Sequence, residues 1–244
     1  MNSSRNTIGE AQIVVLGSKP NAALPAVAVP FVLTANNACE LGVLYRQKYG
    51  SKIIAFVPIE ELRNREHIQD SFKKSHPDEV VLLSATGTDR EFVRTLGLTD
   101  VVITIINFRA RNQLMWRALG IRIILVMMER LWFRGLKYLL LDAVPDFFGK
   151  RDMLWLSGST GLDATFYALQ HFPEAREVIS SGIGLQEGTH FSGSGQFTSK
   201  TAKADRTTMK YWPYSRRKHL STTDDALHSI GKVPKWQSGT TFFA

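Results

Sequence analysis

Short apolar runs alternate with helix-like stretches along most of the chain. Residues 13–16 (IVVL) read as a buried strand ending at Gly17. Residues 27–34 read as a second strand, and Pro30 inside it predicts an edge position or a bulge. A helix is predicted over 37–49, a strand over 52–57, a helix over 60–72 and a strand over 79–83. The alternation continues with a helix over 89–96, a strand over 100–106, a helix over 109–119 and a strand-like run over 121–127. A short strand at 153–156 follows, then a helix at 161–172 with Leu162, Phe166 and Leu169 on one face, then a strand at 177–182. Strands separated by helices of about 10–15 residues predict a mostly parallel, Rossmann-like α/β sheet with helices on both faces.

Beyond residue 182 the texture changes. Five glycines from Gly182 to Gly195 predict a long loop of the kind that lines active sites. Residues 200–218 hold seven Lys or Arg against the single Asp205. Residues 220–230 read as a last helix capped by Ser221 or Thr222, and 232–244 as a tail. One domain over residues 1–231 is the expected organisation.

Composition narrows the class. Of 244 residues, 44% are hydrophobic and 21% charged, which excludes wholesale disorder, collagen and coiled coil. Lys and Arg number 30 against 22 Asp and Glu, and the resulting +8 leans weakly toward an anionic substrate or membrane face. Cys39 is the one cysteine, so neither an internal disulfide nor a zinc cluster is expected, and a reducing cytoplasm is the simplest compartment. Residues 1–12 carry no apolar signal-peptide core. The uncharged run over 20–39 holds Pro20, Pro25 and Pro30, and the apolar run over 121–143 is broken by Arg122, Glu129, Arg130, Arg134 and Lys137, so neither predicts a spanning helix.

Three motifs offer chemistry. In the first, the opening strand runs into Gly17-Ser18-Lys19, where a glycine lets a ligand approach the backbone and Ser18 offers a hydroxyl. No GxGxxG is present, which disfavours a dinucleotide, and an ordinary strand-to-loop turn accounts for the same residues. In the second, Ser157-Gly158-Ser159-Thr160-Gly161 stands between a strand and a helix, where amides and the helix dipole favour an anion such as phosphate. A plain N-cap by Ser159 or Thr160 is the alternative, and no Lys follows to make a Walker A loop. The third is a pair of histidines, His190 in the Gly-rich loop and His219 after Arg216, Arg217 and Lys218. Three cations beside His219 disfavour a further charge on its ring, and a neutral imidazole is what a general base requires.

In this order the motifs resemble those of the sialyltransferase-like and Kdo-transferase-like glycosyltransferases, which use CMP-activated ulosonic sugars. The family's strand, Gly/Ser/Asn turn and downstream Asn are similar to Val15-Leu16-Gly17-Ser18 with Asn36 or Asn37. Its Ser-Thr-Gly motif is similar to Ser159-Thr160-Gly161, its His-aromatic motif to His190-Phe191, and its His-x4-Glu motif to His219 through Asp224, with Asp for Glu. The chain departs at Ser18-Lys19-Pro20, where the family's animal members have Asn-Ser-Gly.

The resemblance implies a variant GT-A-like fold and an inverting transfer of sialic acid or Kdo from CMP to a carbohydrate hydroxyl. It implies that Gly17, Ser18 and Asn36 contact the cytidine and ribose. Ser159, Thr160, Gly161 and His190 would hold the leaving phosphate, His219 would take the acceptor proton, and Asp224 would support the His219 segment. No Asp-x-Asp occurs, so no metal is expected, nor any cofactor beyond the CMP-sugar donor. The expected partners are that donor and a carbohydrate acceptor, with no nucleic acid. The basic segment over 200–218 would close over the donor and offer peripheral membrane contact. Two other readings stand beside this one: another nucleotide-binding α/β transferase such as a methyltransferase, and a non-catalytic module binding anions or glycans.

Overall fold

The computed structural model of the chain describes residues 11–19, 22–134, 158–185, 188–189, 196–197, 199–237 and 241–243. A seven-stranded, all-parallel sheet is built from β1 (Gln12–Leu16), β3 (Phe31–Ala35), β4 (Lys52–Pro58), β5 (Glu79–Leu83), β6 (Val102–Ile106), β7 (Glu177–Ser181) and β10 (Leu220–Thr222). Its spatial order is β10-β7-β1-β3-β4-β5-β6. The chain starts near the middle, builds outward to β6, then returns to the far side of β1. The strand order therefore reverses between β1 and β7, and a crevice at that point of the carboxyl edge is where open α/β sheets take ligands.

Both faces of the sheet are buried, which explains the near-continuous apolar strands. Ile13, Val15, Phe56, Val81 and Leu83 face one core together with α5 (Phe108–Leu119) and α7 (Thr160–His171). On the other face, Ala55, Val57, Val80 and Leu82 pack with Leu62 of α2 (Ile59–Asn64) and Phe72 of α3 (Glu66–Ser75). Val14, Leu16 and Val32 pack there with Tyr45 of α1 (Cys39–Tyr49). α4 (Asp89–Thr95), α6 (Ile123–Arg134), α8 (Ser199–Tyr211) and α9 (Asp225–Ser229) complete the described helices, with β2 (Ala23–Pro25), the pair β8 (Gly188–Thr189) and β9 (Gln196–Phe197), and β11 (Thr241–Phe243) as small additions. The mostly parallel Rossmann-like α/β architecture expected from the alternating pattern is present.

Several elements differ from expectation, each for a local reason. Pro30 precedes β3 rather than interrupting it, and β3 is an interior strand between β1 and β4. The predicted helix over 60–72 is two helices broken at Arg65, whose backbone is extended at φ −125 and ψ 100. Residues 121–127 are helical, not a strand. Ile123, Val126 and Arg130 are buried at helical spacing, and a short apolar run alone does not separate strand from helix. The last predicted helix starts late, at Asp225, because Leu220–Thr222 pairs with β7 as an edge strand. The expected tail packs into the domain: Val233 and Trp236 are buried, and β11 pairs antiparallel with β2. The strand expected at 153–156 and much of the Gly-rich loop lie outside the described residues.

Candidate functional site

Gly17 follows β1 at the point where the strand order reverses. Its amide donates to Ser181 O at 2.7 Å, and the Lys19 amide donates to Gly182 O at 3.0 Å, so the loops after β1 and β7 run against each other. A Cβ at Gly17 would overlap the Gly182 carbonyl, and Gly182 itself sits in the left-handed region at φ 73. Glycine is required here for backbone approach to backbone. Gly17→Ala should cost ~1–3 kcal/mol in urea unfolding, the usual cost of overpacking. A loss under ~0.5 kcal/mol would show that the two loops separate easily.

The second motif meets the first. A Cβ on Gly161, in the first turn of α7, would come within 3.1 Å of Ile183 Cγ1 and 3.8 Å of Gly17 Cα. The helix N-terminus is already occupied by the protein's own groups. Ser159 Oγ accepts from the Leu162 amide at 3.3 Å, and the Ser159 amide donates to Asp205 Oδ1 at 2.8 Å. Ser159 is therefore an N-cap, and a carboxylate from α8 takes one amide that the sequence had offered to phosphate. Thr160 is buried in the same turn.

Asn36 stands at the carboxyl end of β3, beside β1. Its backbone is left-handed at φ 53, and its buried Oδ1 has no hydrogen-bond partner among the described residues. A strained backbone with an orphaned acceptor marks a contact residue better than a turn residue. Ser18 follows Gly17 at the same edge, half-buried. His190 lies outside the described residues.

No protein family, no curated protein and no solved structure matches the chain. What the edge can do must come from its geometry.

Asp224 is on this edge but has another task than expected. It accepts from the Gly182 amide at 3.1 Å and the Ile183 amide at 2.9 Å, so it fixes the turn after β7. Burial pushes its carboxyl up, and the two amides, Lys19 and Lys235 pull it back. His219 is on the opposite edge. It precedes β10, its carbonyl accepts from the Val178 amide at 2.7 Å, and its Nδ1 lies 3.3 Å from Arg176 O. The three residues of β10 separate it from Thr223, about four steps of ~3.3 Å, so Asp224 does not support it and it does not share the carboxyl edge.

His228 lies one helical turn beyond Asp224 and is exposed. It lies on α9, and its amide donates to Asp224 O at 3.0 Å. Its Nδ1 lies 2.8 Å from Val233 O, a contact that needs the proton on Nδ1 and leaves Nε2 as the ring nitrogen pointing away from that carbonyl. Asp225 pairs with Lys235 Nζ at 2.5 Å, and this pair, with Lys19, holds the Asp225 carboxyl below its ordinary range.

The basic segment is not a closing loop. Most of it is α8, with Ala202, Asp205, Met209 and Trp212 buried. Arg206 donates to Leu185 O at 2.8 Å, Lys210 pairs with Glu129 at 2.8 Å, and buried Arg217 donates to Gly231 O.

Beneath the edge lies a buried group of four charges, none of them in the three sequence motifs. Arg111 Nε donates to Asp163 Oδ2 at 2.7 Å, with Nη2 at 2.5 Å from the same oxygen. Arg111 also reaches Ser84 Oγ at 3.2 Å and Gly158 O at 3.4 Å. Arg130 donates to Ala204 O at 3.0 Å and Thr208 Oγ1 at 2.8 Å, and its charge acts on both Asp163 and Asp205. Both carboxyls are fully buried, and burial pushes both up. This group ties α5, α6, α7 and α8 together and fixes the N-terminus of α7 over Gly17.

Proposed function

We propose that the chain transfers an ulosonic sugar, sialic acid or Kdo, from its CMP donor to a carbohydrate hydroxyl, with inversion and without a metal. The observation that carries this reading is the reversal of strand order between β1 and β7, which sets the Gly17-Ser18-Lys19 turn beside Asn36 and the start of α7. In this reading Gly17, Ser18 and Asn36 Oδ1 meet the nucleoside, which the orphaned Asn36 acceptor supports. Lys19 and Lys235, whose charges act on Asp224 and Asp225, in this reading offset the charge of the departing phosphate. The transition state is oxocarbenium-like, and a base must take the acceptor proton. The base in this reading is His228, with Nδ1 on the Val233 carbonyl, because His219 lies at the amino end of β10.

Titration with CMP, UDP with and without magnesium, and S-adenosylmethionine tests the donor class. CMP should bind and UDP should bind more weakly. Tighter binding of UDP with magnesium, or of S-adenosylmethionine, would replace the proposal with another nucleotide-dependent transfer. With CMP-sugar as donor, His228→Ala should lower turnover ~10²–10⁴-fold at little cost in CMP affinity, while His219→Ala should turn over normally. The reverse pattern would return the base to His219.

A further inference from the structure

The outer face of α6 has no partner among the described residues. The helix is apolar on two sides: Ile123 and Val126 are buried inward, while Ile121, just before it, and Ile124, Leu125 and Met128 point outward at 77%, 46%, 45% and 61% exposure. The outward set has the spacing i, i+3, i+4, i+7, so it forms one continuous stripe. Trp116 at the end of α5 is 54% exposed and Tyr214 is 63% exposed. Arg216, two residues after Tyr214, donates to Trp116 O and Arg117 O, which joins the loop around Tyr214 to the end of α5. A helix that is apolar all round demands a second apolar partner, and large exposed apolar patches mark interaction surfaces.

Among the described residues, the exposed charges of α5, of the turn into α6 and of the loop over 214–218 are of one sign. Arg109, Arg117, Arg122, Arg216 and Lys218 are exposed. No Asp or Glu occurs from residue 101 to 128, nor from 206 to 223. The neighbouring Glu129 is already paired with Lys210. A second copy of the chain docked stripe to stripe would bring these cations against their own images, which costs free energy. An anionic partner has complementary charge. Ile, Leu and Met beside Trp, Tyr and Arg form the composition of a surface that sinks to the boundary of headgroups and acyl chains. No helix among the described residues is long and apolar enough to cross a bilayer, so this contact lies on the membrane plane.

We propose that the face formed by Ile121, Ile124, Leu125, Met128 and Trp116, rimmed by Arg117 and Arg122, docks the protein on an anionic lipid bilayer. This moves the membrane contact from the C-terminal basic segment, whose helix packs inward, to the outer side of α6.

Flotation of the full chain with phosphatidylcholine vesicles, with and without ~30 mol% phosphatidylglycerol, tests it. The wild type should float with the anionic vesicles and stay behind with the neutral ones. Ile124→Asp with Met128→Asp should lose binding more than about tenfold, as should Arg117→Gln with Arg122→Gln. All four positions are exposed, and circular dichroism of each variant checks that the fold is kept. Failure of the wild type to float, or unchanged flotation of the folded Asp variant, would overturn the proposal. So would light scattering that shows a wild-type dimer broken by the Asp variant without vesicle binding, since the stripe would then be a subunit interface.

Discussion

Arg111→Met is expected to lower the unfolding free energy by about 3–5 kcal/mol, the usual cost of removing one partner from a buried ion pair. Arg111 is 4% exposed and Asp163 0%. Burial raises the Asp163 carboxyl, and Arg111 is the largest influence against that rise, followed by Arg130. Without the guanidinium, a carboxylate with Oδ1 already unsatisfied loses both contacts to Oδ2. Ser84 Oγ and Gly158 O lose a donor as well. The double replacement Arg111→Met with Asp163→Leu removes charge and cation together and should return to within ~1 kcal/mol of the wild type, since buried pairs exchange well for apolar residues of similar volume. Denaturant unfolding of the two singles and the double gives the coupling directly. If the double is as unstable as the single, the loss comes from packing and the ion pair is not what holds α7 in place.

The fold was legible because its strands are buried on both faces. KIIAFV and EVVLL over 52–57 and 79–83 carry no competing helical period, and they appear as β4 and β5 with only an added Pro58 on the first. The run over 121–127 reads as a strand in sequence because its β-branched residues mimic one and its inner and outer faces are both apolar. The site was legible only in part. Gly17 and Gly161 do meet, for a reason visible in sequence: each opens or closes an element with no side chain to separate backbones. His219 and Asp224 look paired in sequence, but the three strand residues between them carry them to opposite edges of a parallel sheet. The four buried charges did leave a signal. Arg111 shares the apolar stripe of Leu114, Met115 and Ala118, Arg130 follows Ile123 and Val126, and Asp205 lies between Ala202 and Met209. A charge on the apolar stripe of a helix calls for a buried partner, and no local spacing says which helix supplies it.

Asp205 makes that buried group sensitive to pH. Its carboxyl is pushed up to about 6, chiefly by burial and slightly by Asp163, against the pull of the Ser159 hydrogen bonds and of Arg130. An unfolded Asp titrates near ~3.9, so between roughly pH 4 and 6 the folded chain binds more protons than the unfolded one. A raised folded value means that this group favours the fold at low pH, and that its contribution declines as pH rises through the window. A shift of about two units corresponds to about 3 kcal/mol. Asp205→Asn keeps an oxygen for the Ser159 amide and removes the titration. The stability of the variant minus that of the wild type should therefore rise by about 2 kcal/mol between pH 4 and 7, whatever its offset at pH 4. Urea unfolding of both proteins across that range measures it, and groups that do not interact with Asp205, which excludes Asp163, cancel in the difference. Parallel curves would mean that Asp205 keeps one protonation state throughout. In that case Arg130 balances its charge more fully than burial opposes it, and the start of α7 is held over Gly17 by a carboxylate at every pH tested.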